Sequence, residues 1–146
     1  MSADVGGVAV FTYGSLMHDA VWGSLVPAPR RSLPARIEGW RRHAIRGATY
    51  PGIGASPGSS VAGRLWLDVT SAELALLDAF EGPEYRLQTV LAHPADGSPP
   101  RQAHVWVWLD DTRRLDHDWD AAGFERDHLA EFLRLIGADP PAAPSR

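Results

Sequence analysis

A helix that opens at Thr70 and closes at Gly82-Pro83 carries a carboxylate, Glu81, where general acid/base chemistry would want one. Residues 74, 77, 78 and 81 recur at helical spacing on one face. Leu74 and Leu77 make that face the buried one, so Asp78 and Glu81 extend a core-facing stripe. Burial disfavours the charged form of a carboxyl group, and so does the negative end of the helix macrodipole. Both push its titration toward neutrality, which suits a group that must take and return a proton. Spacing alone equally allows a frayed last turn with Glu81 in solvent, because helix ends are fixed only to one or two residues.

The second candidate is Tyr13-Gly14-Ser15-Leu16, where an apolar run gives way to a glycine turn. Consecutive backbone N–H groups in such a turn can form an anion-binding nest; the alternative is a plain strand-ending turn. Ser15 does not sit in a G-x-S-x-G elbow, which speaks against a serine-hydrolase nucleophile. The six histidines show no H-E-x-x-H or other paired metal spacing. The GIGASPG stretch lacks a phosphate-binding lysine. Asp110, Asp111, Asp116, Asp118 and Asp120 lack the order and the bidentate Glu of an EF-hand and read as a solvated acidic loop. Trp66, Trp106 and Trp108 fall on expected strands and read as core or pocket wall.

Composition narrows the chemistry further. With no Cys, disulfides, thiolate nucleophiles and Cys-ligated metals are excluded. There is no Lys, so a Walker A loop and a Schiff-base lysine are excluded as well. A net charge of -4 gives no footprint for a nucleic-acid partner. No apolar run is long enough to span a bilayer and the first residues lack a basic region, so a soluble, cytoplasmic protein with no membrane partner is expected. The 146 residues make one domain, expected over 1–138, followed by a Pro/Ala-rich disordered tail over 139–146.

The elements that must position these residues follow from periodicity. Val8 to Tyr13 reads as a buried strand and Asp19 to Leu25 as a short helix. Arg36 to Ile45 reads as a strand pair or irregular ribbon, and Ala48 to Ser60, dense in Gly, Pro and Ser, as a long loop. In Val61 to Val69, Val61, Gly63, Leu65, Leu67 and Val69 share one strand face and Ala62, Arg64, Trp66 and Asp68 the other. Thr70 with Glu73 has capping-box spacing. Tyr85 to His93 and Gln102 to Leu109 are strands, the second rich enough in Val and Trp to be covered on both faces. Ala121 to Ile136 is one amphipathic helix stopped by Gly137, with Phe124, His128, Leu129, Phe132, Leu133 and Ile136 on its apolar stripe. The fold class is α+β.

Several segments, taken in order, resemble the gamma-glutamylcyclotransferase-like family, in its AIG2-like branch. They are FTYGSLM at 11–17, ARIEGWRR at 35–42, TYPGI at 49–53, VAGRLWLDVT at 61–70 and LDAFEGPEY at 77–85. The resemblance implies a small mixed β-barrel with surrounding helices. It implies that Tyr13, Gly14, Ser15 and Leu16 bind a gamma-glutamyl head group largely through backbone amides, that Glu81 is the catalytic acid/base and that Tyr85 lines the pocket. It implies no metal and no cofactor, and a small-molecule gamma-glutamyl substrate as the partner. One position departs from the family pattern: an Arg expected two residues after Tyr85 is Leu87, and Arg86 stands one place early. In a strand that shift turns the guanidinium to the opposite face.

The implied reaction is ring closure. The substrate's α-amine attacks its own γ-carbonyl, forms 5-oxoproline and expels an amine or amino acid. Two other readings remain at this point: a binding module that keeps the pocket without chemistry, and a hydrolase pairing Glu81 with Asp78 or Glu84. The motifs encode neither the leaving group nor the oligomeric state.

Overall fold

Alternation along the first strand sets up two hydrophobic layers. In β1 (Val8–Thr12), Ala9 and Phe11 join one buried cluster while Val10 joins another. The computed structural model describes residues 7–137. After β1 come a 3₁₀ turn (Ser15–Met17), α1 (Asp19–Leu25), β2 (Ser32–Ile45), β3 (Pro51–Val69), α2 (Ser71–Glu81), β4 (Tyr85–Pro94) and β5 (Arg101–Trp108). A second 3₁₀ turn (Asp111–Arg113), β6 (Arg114–Asp118), α3 (Ala121–Asp127) and α4 (Leu129–Leu135) complete the described chain. Tail residues 139–146 lie outside the described residues.

The strands run β3-β1-β5-β4-β2, and β2 pairs again with β3, which closes a five-stranded barrel; β6 adds to β2 outside the ring. The β1–β5 pairing is parallel and the others are antiparallel, so the barrel is mixed, as expected. Its interior is filled by Phe11, Ile37, Ile53, Leu65, Val105 and Val107. A second layer between barrel and helices holds Trp22, Trp66, Leu77, Trp106, Phe124 and Leu133. There Trp22 stacks on Trp66 with centroids 4.1 Å apart. In β5, Val105 and Val107 face inward while Trp106 is buried in the outer layer, which accounts for its double coverage.

The α2 start forms as its spacing predicts. Thr70 Oγ1 accepts from the Glu73 amide at 3.1 Å, and the Glu73 carboxylate accepts from the Thr70 amide at 3.0 Å. Arg30 clamps the same carboxylate at 2.7 and 3.0 Å. Thr70→Ala is expected to lower stability by about 1 kcal/mol, read as a reduced urea midpoint at unchanged slope.

Five expectations need correction. Of residues 48–60 only 48–50 stay outside the strands: β3 begins at Pro51 and pairs with β2 from Ala44↔Pro51 to Trp40↔Ala55. Glycine here serves close packing, since a Cβ on Gly52 would stand 2.5 Å from Trp108 Cβ. Only residues 56–59 bulge out, opposite Gly39, where the register shifts between Glu38↔Ser60 and Trp40↔Ala55. The Arg36 to Ile45 ribbon is accordingly part of one long strand, paired on both edges.

Third, Val69 leaves the face it was expected to share with Leu65 and Leu67. Asp68 adopts φ 58°, which breaks the alternation and sends Val69 into the outer layer with Trp66. Fourth, the Ala121 to Ile136 helix is two helices, broken at His128 with φ -128°; the His128 side is exposed, while Phe124, Leu129 and Leu133 are buried. Fifth, the acidic segment is solvent-exposed as expected but is not all loop, since Asp116 and Asp118 stand on a strand. Asp110 and Asp120 accept from the Thr112 and Gly123 amides as caps, and Asp116 and Asp118 on β6 face Arg41 at 3.2 and 2.9 Å. No helix among the described residues is long and apolar enough to cross a membrane.

Candidate functional site

The chain leaves the barrel at Thr12 under tight constraint. Thr12 Oγ1 donates to the Arg64 carbonyl at 2.9 Å and accepts from Trp66 Nε1 at 3.2 Å. Tyr13 is buried, and its hydroxyl donates to the Trp106 carbonyl at 2.7 Å. Gly14 then passes against β3: a Cβ there would meet Pro51 Cδ and Cγ at 2.9 Å, so the turn admits no larger residue without displacing one strand.

Beyond it the 3₁₀ turn makes its first hydrogen bond from the Met17 amide to the Gly14 carbonyl, 3.0 Å. The Ser15 and Leu16 amides precede that bond and so lack a partner within the turn. Two guanidinium groups hold carbonyls of this segment, Arg42 on Tyr13 at 3.0 Å and Arg64 on Met17 at 2.8 Å. The backbone is thereby fixed from both ends.

Glu81 arrives from the last residue of α2. Leu77 on its stripe is fully buried and Leu74 partly so, but Asp78 is exposed at the stripe's edge, where its Oδ1 accepts from Trp106 Nε1 at 2.9 Å. Glu81 itself remains in the helix and is partly buried, so the frayed, solvated alternative is not what forms. Desolvation, reinforced by the negative charge of Asp78, pushes its carboxyl up to about 8. Tyr85, at the start of β4, donates from its hydroxyl to the Pro51 carbonyl at 2.7 Å. Burial, with the Glu81 charge adding to it, holds the phenols of Tyr13 and Tyr85 well above their ordinary range, so both stay protonated.

These residues enclose one cavity of roughly 220 Å³. Every residue expected at the site lines it: Tyr13, Gly14, Ser15, Leu16, Glu81 and Tyr85. So do residues the sequence reading did not assign there, among them Tyr50, Pro51, Phe80, Phe132 and Ile136. Tyr50 and Pro51 stood in a quoted motif but were placed on a loop. Phe132 and Ile136 stood on an amphipathic stripe, a pattern that looks the same whether it faces a core or a cavity. Trp106, read as core or pocket wall, is both.

Other candidates fall away from this cavity. Arg86 is exposed and reaches Gln88 at 3.4 Å, while Leu87 packs against the outer layer. Glu84, a possible partner for Glu81, is engaged by Arg113 at 2.6 Å. Among the described residues no group of three or more His, Asp or Glu is arranged to hold a metal ion.

Comparison with known proteins shows the family and the fold. The family model described as gamma-glutamyl cyclotransferase, AIG2-like, matches residues 10–121. An AIG2-like protein D of Arabidopsis thaliana is 32% identical over 138 residues, covering 92% of this chain and 90% of the relative. A solution structure of another Arabidopsis thaliana protein superposes with a TM-score of 0.70 at 30% identity, over 88% of this chain and 79% of that one. A solved gamma-glutamyl cyclotransferase shares the fold, with a TM-score of 0.61 at 17% identity over 95% and 92% of the two chains. With its barrel, its glycine turn and its partly buried glutamate on one cavity, the chain belongs to the AIG2-like gamma-glutamyl cyclotransferase family.

Proposed function

We propose that the chain is an enzyme that cyclises gamma-glutamyl amides to 5-oxoproline, with Glu81 as general acid/base. The observation that supports this most is Glu81 itself: a desolvated carboxyl, pushed up to about 8, in the same cavity as the Tyr13–Leu16 turn. A proton carrier works best when its pKa lies near the working pH. In the reaction the substrate's α-nitrogen bonds to its γ-carbonyl carbon and the bond to the leaving nitrogen breaks. The α-ammonium gives up two protons in becoming a lactam N–H, and the leaving amine departs with two, so no water is consumed. Glu81 carries these protons between the two nitrogens.

The Tyr13–Leu16 segment supplies backbone N–H groups to the substrate's α-carboxylate or to the developing oxyanion. Its rigidity matters because ring closure depends on holding the glutamyl chain in one conformer. Tyr85 walls the pocket. The chemistry calls for no metal or cofactor, since nucleophile and electrophile belong to one substrate.

The reactive complex holds one proton between Glu81 and the substrate amine. Both are protonated at low pH and both are bare at high pH, so kcat/KM follows a bell. Its ascending limb is expected near pH 8, from Glu81, and its descending limb at the α-ammonium of the free substrate. Release of 5-oxoproline from a panel of gamma-glutamyl compounds across pH 5–10 tests this. A profile flat through the Glu81 range contradicts the assignment. Binding without release favours a pocket that senses a metabolite without chemistry.

A further inference from the structure

The cavity lining is chemically lopsided. Among the described residues that form it, Glu81 brings the sole carboxylate, and no arginine or histidine contributes. Yet the chain carries 14 basic residues, all arginine, and 18 acidic ones. The arginines on the segments around it are engaged there: Arg42 with the Tyr13 carbonyl, Arg64 with the Met17 carbonyl and Arg113 with Glu84. A gamma-glutamyl head can use Glu81 and the turn amides for its two charges. Nothing comparable remains for a charge on the other side of the scissile amide.

What the helices offer instead is apolar surface. Phe80, Phe132 and Ile136 line the cavity, and all three are only partly buried. Phe132 is held edge-on against Phe80, centroids 6.3 Å apart at 81°, and against Phe124 at 5.7 Å and 71°. The ring is thus fixed in place while still open to the cavity, where an apolar ligand would displace water from it. Phe132 and Ile136 also lie beyond residues 10–121, the span matched by the family model.

We infer that Phe80, Phe132 and Ile136 seat the leaving group, and that the preferred substrates are gamma-glutamyl amides of uncharged aromatic or branched aliphatic amines. For turnover the inference rests on the cyclotransferase reading; for binding it stands apart from it. A leaving group bearing a carboxylate or ammonium would have to desolvate that charge against an apolar wall without a counter-charge.

The test compares gamma-glutamylbenzylamide with gamma-glutamylglycine and with the gamma-glutamyl amide of the lysine ε-amine. Wild-type kcat/KM for 5-oxoproline release is expected to favour the benzylamide by about tenfold or more. Phe132→Ala should shrink that ratio about tenfold, and Ile136→Ala should shrink it in the same direction. Calorimetric binding of the three compounds to the Glu81→Gln protein asks the same question without turnover. Selective binding without release by wild type would sink the cyclotransferase reading and leave the seat standing. Release with no preference for the benzylamide, or equal binding of all three, would overturn the seat. So would a preference that survives both alanine substitutions.

Discussion

Glu81→Gln is expected to reduce 5-oxoproline release by two to four orders of magnitude, about the contribution of a positioned acid/base, and to make the protein more stable at alkaline pH. The two effects share one cause. The carboxyl's ordinary value of 4.5 is raised to about 8 by desolvation and by Asp78. Between those values the native state keeps a proton that the unfolded chain has already released. Its contribution to stability is therefore full below pH 4.5, declines as pH rises through the window and is lost above about 8. Glutamine keeps the shape and the neutrality at every pH, so that decline disappears. The gain over wild type at pH 8 and above is on the order of a few kcal/mol, lessened by water reaching Glu81 through the cavity. Urea unfolding of both proteins at pH 5 and pH 9 measures it. An unchanged difference between the two pH values would mean that Glu81 is not desolvated as described.

The largest loss of stability is expected at Trp106. This side chain is 1% exposed, packs in the layer between barrel and helices and donates its indole N–H to Asp78 at 2.9 Å. Its carbonyl also receives the Tyr13 hydroxyl, although substitution leaves that backbone bond available. Trp106→Ala opens a void beneath α2 and is expected to cost about 3–5 kcal/mol. Trp106→Phe keeps most of the volume and loses the hydrogen bond, so its cost falls to about 1 kcal/mol. Phenylalanine also releases Asp78, whose charge helps raise Glu81. The ascending limb of the pH–rate profile should then move, downward if Asp78 swings away. Denaturant midpoints and the pH profile of the phenylalanine variant check both claims; a loss below about 1 kcal/mol for alanine would show that the layer does not depend on this ring.

Much of this was legible in the residues because it depends on local chemistry. The Thr70–Glu73 box forms as its spacing requires. The Asp19 to Leu25 helix has the bounds expected of it, and the Val/Trp strand is buried on both faces. The first half of β3 was illegible for the opposite reason. Its Gly and Pro residues signal a turn locally, and only tertiary packing, Trp108 against Gly52 and Arg114 against Gly54, shows why glycine belongs in that strand. The displacement of Val69 hangs on one backbone angle at Asp68, a residue type with no obligation to adopt it. At the site, helical spacing singles out Glu81 without deciding whether it is buried, and the motifs point to it together with the glycine turn and Tyr85. Phe80 was not, being off the α2 stripe; nor was the contribution of α4, whose apolar face obeys one periodicity whichever surface it covers.

The proposed reaction is an intramolecular closure that takes up no water. The most direct measurement is the identity and isotopic content of the product when wild-type protein acts on a gamma-glutamyl amide in ¹⁸O-enriched water. Ring closure predicts 5-oxoproline carrying no solvent oxygen, in step with release of the amine. Glutamate with ¹⁸O in its γ-carboxyl group would contradict it and make the cavity that of a hydrolase.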